Sequence, residues 1–307
     1  MTGPLLTVIG DLVEDVVVWS AGPWRSGTDN PSTITRSRGG SAANVAVAAA
    51  AAGTATRFVG RVGDDDAGRR LVAGLASADV DARVQVGGAT TGTIVVLVDA
   101  DGERTMFNDR GAAGGLEPIT DDALTGTTVL HVPAYAFDPS STRTVVVDAA
   151  ARVRAAGGLV SVDVSAVSLI DALGPVAFRG ILDEVAPTWV FANREEADAL
   201  GLLDADPPPG RHHVVKDGAR PAVVVGPGSP SGAGAARVEV PALVVDAVRD
   251  TTGAGDAFAA GFLSAVMTAA DPVAACRAGH RTAATVLATP GATPGVTPGG
   301  IEPPTST

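Results

Sequence analysis

Short apolar runs and alanine-rich stretches alternate along most of the chain. Residues 5–10 form an apolar run that ends at glycine, which is typical of a buried strand, and residues 56–60 are also predicted to form a strand. Residues 43–52 favour a helix that Gly53 ends, because alanine has high helix propensity and glycine commonly follows a helix. The further predicted strands are residues 128–132, 159–164, 189–192, 214–215 and 222–225, and the further predicted helices are residues 67–76, 141–155, 175–185 and 195–200. This alternation predicts an α/β fold in which helices cover both faces of a mostly parallel sheet.

The most regular helical pattern lies near the C-terminus. Phe258, Phe262 and Val266 recur at intervals of four residues, so residues 256–270 are predicted to form an amphipathic helix, and helical character continues to residue 287.

Two segments interrupt the alternation and lack a crossover helix. Residues 16–19 and 33–38 are strand-like and flank a turn-rich stretch, and residues 93–98 and 104–107 flank the hairpin signal Asp-Ala-Asp-Gly. We expect them to form a small antiparallel sheet that projects from one domain of residues 1–307 and serves as a lid. The lid segments are placed at about residues 13–38 and 91–110, and a flexible tail is expected at about residues 298–307.

Composition narrows the class of protein. The chain has 307 residues, of which 46% are hydrophobic, so it can bury a sizeable core. It carries 22 basic and 34 acidic residues, a net charge of −12 that argues against a nucleic-acid partner. One cysteine, no apparent signal peptide and a longest apolar run of residues 45–52 favour a cytoplasmic protein without a membrane partner.

Residues 250–256, Asp-Thr-Thr-Gly-Ala-Gly-Asp, stand where a loop becomes a helix. The N-terminus of a helix carries unpaired N–H groups and the positive end of the dipole, and the small residues Gly253, Ala254 and Gly255 would let an anion approach them. Asp256 follows directly. It is either a helix cap or a base that takes a proton from a hydroxyl attacking a bound phosphate.

Other motifs are weaker alone. Gly39 and Gly40 enter a predicted helix in which Asn44 could offer its amide to a hydroxyl. Asn193 and Glu196 begin another helix and are either a capping box or a pair that holds water around magnesium. A P-loop, a dinucleotide-binding fingerprint and a Gly-x-Ser-x-Gly elbow are absent from the sequence.

In their order along the chain, these motifs closely resemble the ribokinase-like (PfkB-type) carbohydrate kinase family. The resemblance is carried by Gly10-Asp11 with Asp15, by residues 39–44 and 59–65, by Asn193-x-x-Glu196 and, most specifically, by residues 250–256. It implies a three-layer α/β/α domain with a mostly parallel central sheet and a small β-sheet lid.

The resemblance also implies roles for individual residues. Asp256 matches the base that activates a sugar hydroxyl, and Gly253, Ala254 and Gly255 match an anion hole for the transferred phosphoryl group. The positions that match the sugar-hydroxyl ligands are Asp15, Gly39, Gly40 and Asn44, with Asp11 as a neighbour.

The resemblance also implies which residues bind the nucleotide. Asn193 and Glu196 match the pair that organises magnesium and the ATP phosphates. The residues that match nucleotide-site positions are Lys216, Gly218, Thr252 and His280. Lys216 is expected either to reach a phosphate or to form a surface ion pair near Asp217, and a helix-face histidine such as His280 is also common in cores. Asp250, Thr252 and residues 288–295 would supply oxygens to a possible potassium ion.

Some positions depart from the family's pattern. Ser41 stands where ribokinases often have lysine, which weakens the case for strict ribose specificity, and Asp163-Val164-Ser165 replaces an Asp-Pro-Asn type of strand end. Arg104 and Arg110, near the lid, are either ligands of a substrate phosphate or solvated charges.

The sequence therefore predicts an ATP- and magnesium-dependent kinase acting on a hydroxyl, most simply a primary alcohol of a sugar or sugar derivative. The alternatives are a nucleoside kinase of the adenosine type and, from another class, a non-catalytic sugar- or nucleotide-binding regulator. A homodimer through the lid is also possible.

Overall fold

The computed structural model describes residues 3–20, 22–99, 103–138, 140–227, 235–246, 248 and 251–288. The strands are β1 (Leu5–Ile9), β2 (Val13–Ser20), β3 (Ser32–Gly39), β4 (Thr56–Val62), β5 (Val80–Val86), β6 (Thr91–Val98), β7 (Arg104–Gly111), β8 (Thr127–Pro133), β9 (Leu159–Asp163), β10 (Trp189–Asn193), β11 (His212–Lys216), β12 (Ala222–Val225) and β13 (Arg237–Val240). The helices are α1 (Ser41–Ala51), α2 (Asp66–Ser77), α3 (Asp121–Leu124), α4 (Ser140–Ala155), α5 (Val167–Leu173), α6 (Pro175–Val185), α7 (Arg194–Leu200), α8 (Ala254–Val266) and α9 (Pro272–Leu287).

The larger of two sheets has the strand order β13-β12-β11-β10-β9-β8-β1-β4-β5. All neighbouring strands from β11 to β5 run parallel, and only β12 and β13, at one edge, are antiparallel. The prediction of a mostly parallel sheet is confirmed. The carboxyl ends of its parallel strands therefore meet along one edge, where such folds bind ligands.

Helices cover both faces of this sheet, as the alternation of strand and helix predicts. On β10, Phe191 packs into the core formed with α1, α2, α8 and α9, whereas the adjacent Val190 packs into the opposite core with α4, α6 and α7. Successive side chains of a strand point to opposite faces. Both faces are apolar for that reason, and the three-layer architecture follows.

The smaller sheet has the order β3-β2-β6-β7. Its two hairpins, β2–β3 and β6–β7, are antiparallel as predicted, but β2 and β6 pair in parallel with each other. The reason lies in the larger sheet. Since β1 and β5 run in the same direction there, β2 and β6 both start from the same edge and extend the same way.

Several elements differ from the sequence prediction. β5 was not predicted because its residues alternate between apolar and polar and are only half-buried, unlike the continuous runs of the central strands. The helical stretch at residues 256–287 is two helices, because Asp271 caps α9 and Pro272 occupies its first position. α8 begins two residues earlier than predicted. The short elements β13, α3 and α5 were also missed. Among the described helices, none has both the length and the apolar character needed to cross a bilayer.

Candidate active site

Charged and polar side chains gather at the carboxyl ends of β11, β10 and β9, which are neighbours, and of β1, which is separated from β9 by β8. Asp11 follows β1, Asp163 ends β9, Asn193 ends β10 and Lys216 ends β11. The N-terminus of α8, which brings Asp256, lies at the same edge, because its carboxylate interacts electrostatically with Asp163 and Lys216. We take this cluster as the candidate active site.

Asp256 is held by α1 rather than by its own helix. The N-cap of α8 is Gly253, in the left-handed conformation with φ 73°, and it makes no side-chain capping bond. The Asp256 carboxylate accepts a hydrogen bond from Ser41 Oγ at 2.5 Å and one from Asn44 Nδ2 at 3.0 Å. The structure therefore contradicts the alternative in which Asp256 is only a helix cap.

The surroundings of Asp256 suit a proton acceptor. Burial raises the pKa of this carboxyl to about 6, and the Asp163 carboxylate adds to the rise. The hydrogen bonds from Ser41 and Asn44, together with Lys216, act in the opposite direction. A carboxylate with a pKa near neutrality is mostly ionised at pH 7 yet is a stronger base than an exposed aspartate.

Lys216 lies against the glycine step at the start of α8. A Cβ atom added at Gly255 would stand 3.3 Å from Lys216 Nζ, so the ammonium lies close to the backbone of the glycine step. The Ala254 N–H donates to the Thr251 carbonyl at 3.2 Å, which closes the turn into the helix. The ammonium thus adds a full positive charge to the partial one of the helix N-terminus.

Lys216 is not a surface lysine. Its Nζ pairs with Asp163 Oδ2 at 2.6 Å, and the two side chains are only 17% and 8% exposed. Burial lowers the pKa of Lys216, but the carboxylates of Asp163, Glu196 and Asp256 together more than offset it, so the pKa is raised. The alternative of a surface ion pair near Asp217 is wrong, because Asp217 pairs instead with Arg194 and Arg220.

Asn193 and Glu196 form the capping box that the sequence offered as one alternative. Asn193 Oδ1 accepts from the Glu196 N–H at 2.8 Å, while the Glu196 carboxylate accepts from the N–H and from Nδ2 of Asn193, each at 2.8 Å. Glu196 is 3% exposed, and burial followed by repulsion from Asp163 raises its pKa.

The buried carboxylates of Glu196 and Asp163 repel each other, and a nearby cation would lower that repulsion. Among the described residues, no group of three or more His, Cys, Asp or Glu side chains is arranged to hold a metal ion directly. Magnesium commonly keeps several waters and takes few protein ligands, so Glu196 is a suitable residue to hold it through water, whereas Asp163 is already paired with Lys216.

The glycine pair at the start of α1 is enforced by close contacts. A Cβ atom at Gly39 would stand 2.0 Å from Asp15 Oδ1, and one at Gly40, where φ is 97°, would stand 2.2 Å from the Asp11 carbonyl oxygen. Burial raises the pKa of Asp15 to about 6 against the lowering effect of Arg38. Within the part of the chain that the structure describes, Asp15 Oδ1 is buried without a hydrogen-bond partner.

Sequence reasoning did not assign a site role to Ser41, Arg38 or Asp163. Ser41 and Asp163 had appeared only as departures from the family pattern, and Arg38 was read as the end of a strand. Arg38 Nη2 donates to Asn44 Oδ1 at 3.1 Å. The sequence offers one signal for two of these residues: Arg38 and Ser41 directly flank the glycine pair, Gly39 and Gly40.

Two arginines of β7 connect the smaller sheet to the site. Arg110 makes a two-pronged ion pair with Asp11, with distances of 2.8 and 2.7 Å, and Arg104 donates to Thr252 Oγ1. Arg110 is therefore paired with a carboxylate in this structure rather than solvated.

The remaining predicted residues are not joined to Asp256 by the described contacts. His280 packs edge-on against Phe258 with ring centroids 5.1 Å apart, and its pKa is lowered by burial. Gly218, with φ 58°, lies in the loop after β11. Asp250 and most of residues 288–295, predicted for potassium, lie outside the described residues, as does the predicted tail.

Comparisons with known proteins agree with this arrangement. The chain is 33% identical to a fructokinase of Klebsiella pneumoniae over 84% of this chain and 82% of that protein. It is 35% identical to an ATP-dependent ribose-1-phosphate kinase of Halopiger xanaduensis over 77% and 75%. An adenosine kinase structure from Sinorhizobium meliloti superposes with a TM-score of 0.81, 25% identity and coverage of 96% and 97%. The model of the pfkB family carbohydrate kinases matches residues 4–298, and the chain belongs to that family.

Proposed function

We propose that this carbohydrate kinase transfers the γ-phosphoryl group of ATP to a primary hydroxyl of a sugar, with Asp256 as the general base. The observation that carries the proposal is the partly buried Asp256 carboxylate, which stands at the glycine-rich start of α8 and is held from α1. A base placed beside an anion site can take the proton as the hydroxyl oxygen attacks the phosphorus.

Each proposed step uses a residue of this chain. Asp256 accepts the hydroxyl proton, so the attacking oxygen gains nucleophilic character. The N–H groups of Gly253 and Gly255 and the Lys216 ammonium stabilise the charge on the transferred phosphoryl group, which is the main requirement of this chemistry. The Ala254 N–H, also expected in the anion hole, donates to the Thr251 carbonyl in this structure. Asn193 and Glu196 would hold a magnesium ion through water, and that ion would neutralise charge on the ATP phosphates.

The smaller sheet is proposed as the lid over the acceptor. Its strand β7 already reaches the site through Arg110 and Arg104, which contact Asp11 and Thr252. Covering the acceptor would exclude water, which otherwise competes as the phosphoryl acceptor. A potassium site and a dimer through this sheet remain predictions.

We place fructose first among acceptors, because a fructokinase matches most of this chain. The test is ADP release in a coupled assay across fructose, ribose, ribose 1-phosphate, 2-keto-3-deoxygluconate and adenosine. We expect a sugar to be preferred over adenosine by about a hundredfold in kcat/KM, since a site built for one set of hydroxyls leaves polar groups unpaired with another.

Preference for adenosine would identify a nucleoside kinase. ATP and sugar binding without any acceptor-dependent ADP release would instead support a regulator on the same fold.

A further inference from the structure

Both oxygens of the Asp256 carboxylate are engaged by α1. Ser41, the first residue of that helix, donates to Oδ1 at 2.5 Å, and Asn44, one turn later, donates to Oδ2 at 3.0 Å. Positions three apart on a helix lie on the same face, so α1 presents both donors to one carboxylate. Two fixed donors on two oxygens determine the position and the rotation of the carboxylate plane.

The orientation of the Asn44 amide is itself fixed. Arg38 Nη2 donates to Asn44 Oδ1 at 3.1 Å, and a guanidinium can only donate, so the amide oxygen must face Arg38 and the NH₂ group must face Asp256. Asn44 is 9% exposed. Each end of its amide makes one hydrogen bond within the protein, and one N–H and one lone pair are left over, so Asn44 can hold Asp256 and still contact an acceptor hydroxyl.

We propose that Ser41 and Asn44 are positioning residues for the base: they hold the Asp256 carboxylate so that one of its unused lone pairs faces the acceptor hydroxyl. This proposal rests on the proposed role of Asp256. An ionised carboxylate can accept about four hydrogen bonds, so two acceptor sites remain after Ser41 and Asn44 have donated. In this proposal, the function of Ser41, at a position where ribokinases often have lysine, is to hold the Asp256 carboxylate.

The same contacts set the protonation of the base. The groups that interact with Asp256 are the donors Ser41 and Asn44 on α1, Arg38 on β3, Asp163 on β9, Lys216 on β11 and Tyr135 after β8. Asp163 and Lys216 form an ion pair and largely offset each other. Because the α1 donors favour the ionised carboxylate, removing either one should raise the pKa of Asp256.

The test is the pH profile of kcat/KM with the sugar found best in the coupled assay. In the wild type, activity should rise with pH and reach half its maximum near pH 6, where Asp256 ionises. In Ser41→Ala and Asn44→Ala, this acid limb should move to higher pH by about one unit and kcat should fall by about tenfold, and in Ser41→Ala the acceptor KM should be nearly unchanged. Ser41→Thr, which keeps the hydroxyl, should restore both quantities.

A matched control uses another hydroxyl pair between the α1 region and α8. Thr54 Oγ1 donates to Ser264 Oγ at 2.6 Å, far along α8 from Asp256. Ser264→Ala removes a similar hydrogen bond and should leave the acid limb and kcat unchanged, even if it lowers the melting temperature.

Two results would overturn the proposal. If Asn44→Ala raises the acceptor KM tenfold while kcat and the acid limb stay as in the wild type, Asn44 is a ligand of the acceptor. If Ser41→Ala keeps the wild-type profile, Ser41 does not hold the base, and this variant decides even where Asn44→Ala fails to fold. Full activity in Asp256→Asn would instead refute the base assignment itself, so the two failures are distinguishable.

Discussion

Replacing Asp256 by asparagine is expected to lower kcat by about a thousandfold while ATP and sugar still bind. The amide has nearly the same shape as the carboxylate, and its oxygen can accept from Asn44 while its NH₂ group donates to the Ser41 hydroxyl, so the site should stay intact. It cannot take up the proton of the acceptor hydroxyl, however, and the attacking oxygen would stay protonated. Steady-state kinetics give kcat, and calorimetric titration with the non-hydrolysable analogue of ATP and with sugar gives the two affinities.

Asp271→Asn is the matched control for this substitution. Asp271 is an exposed aspartate that caps α9 by accepting from the N–H groups of Val273 and Ala274, and asparagine caps helices equally well. Its kcat should equal that of the wild type. Retention of more than about a tenth of the activity in Asp256→Asn would show that another group accepts the proton.

The pattern of apolar residues and glycines predicted most strands of the large sheet and the helices α1 and α8 beside the site. Those elements depend on local properties: continuous apolar segments for β8 to β11, and alanine followed by glycine for α1. β5 was missed because its residues alternate between apolar and polar and are only half-buried. The parallel pairing of β2 with β6 was missed because it joins distant residues such as Glu14 and Thr93, and such pairing leaves no local pattern.

The candidate site divides in the same way into motif residues that the sequence predicted and contacts that it did not. The residues quoted for the family motifs do converge in part: Asn44 and Asp256 meet, and Asp11 and Lys216 lie at the same edge of the sheet. The contacts that define their environment were not predictable. Asp163 and Lys216 are 53 residues apart, and Ser41 and Asp256 are 215 apart, so their pairing follows only from strand order and helix packing.

The second large effect is expected from Lys216→Met, which should cost about 3–5 kcal/mol of the free energy of unfolding, measured in urea at pH 7. Methionine fills the volume of the lysine stem but leaves the Asp163 carboxylate buried and without its counter-charge. A buried charge without a partner is much less favourable than either a charge pair or a neutral pair. For comparison, Arg69 pairs with Asp66 on the surface with side chains 62% and 85% exposed, so Arg69→Met should change the same quantity far less than Lys216→Met does.

The double variant Asp163→Asn with Lys216→Met separates stability from catalysis. Removing both charges removes the unpaired carboxylate, so most of the lost unfolding free energy should return. Activity should not return, because the ammonium beside Gly255 is still missing and the transferred phosphoryl group loses that stabilising charge. If the double variant regained wild-type kcat, Lys216 would serve the fold alone. If Lys216→Met were as stable as Arg69→Met, the Asp163–Lys216 pair would contribute nothing to folding, and its place under the start of α8 would have to be explained by catalysis only.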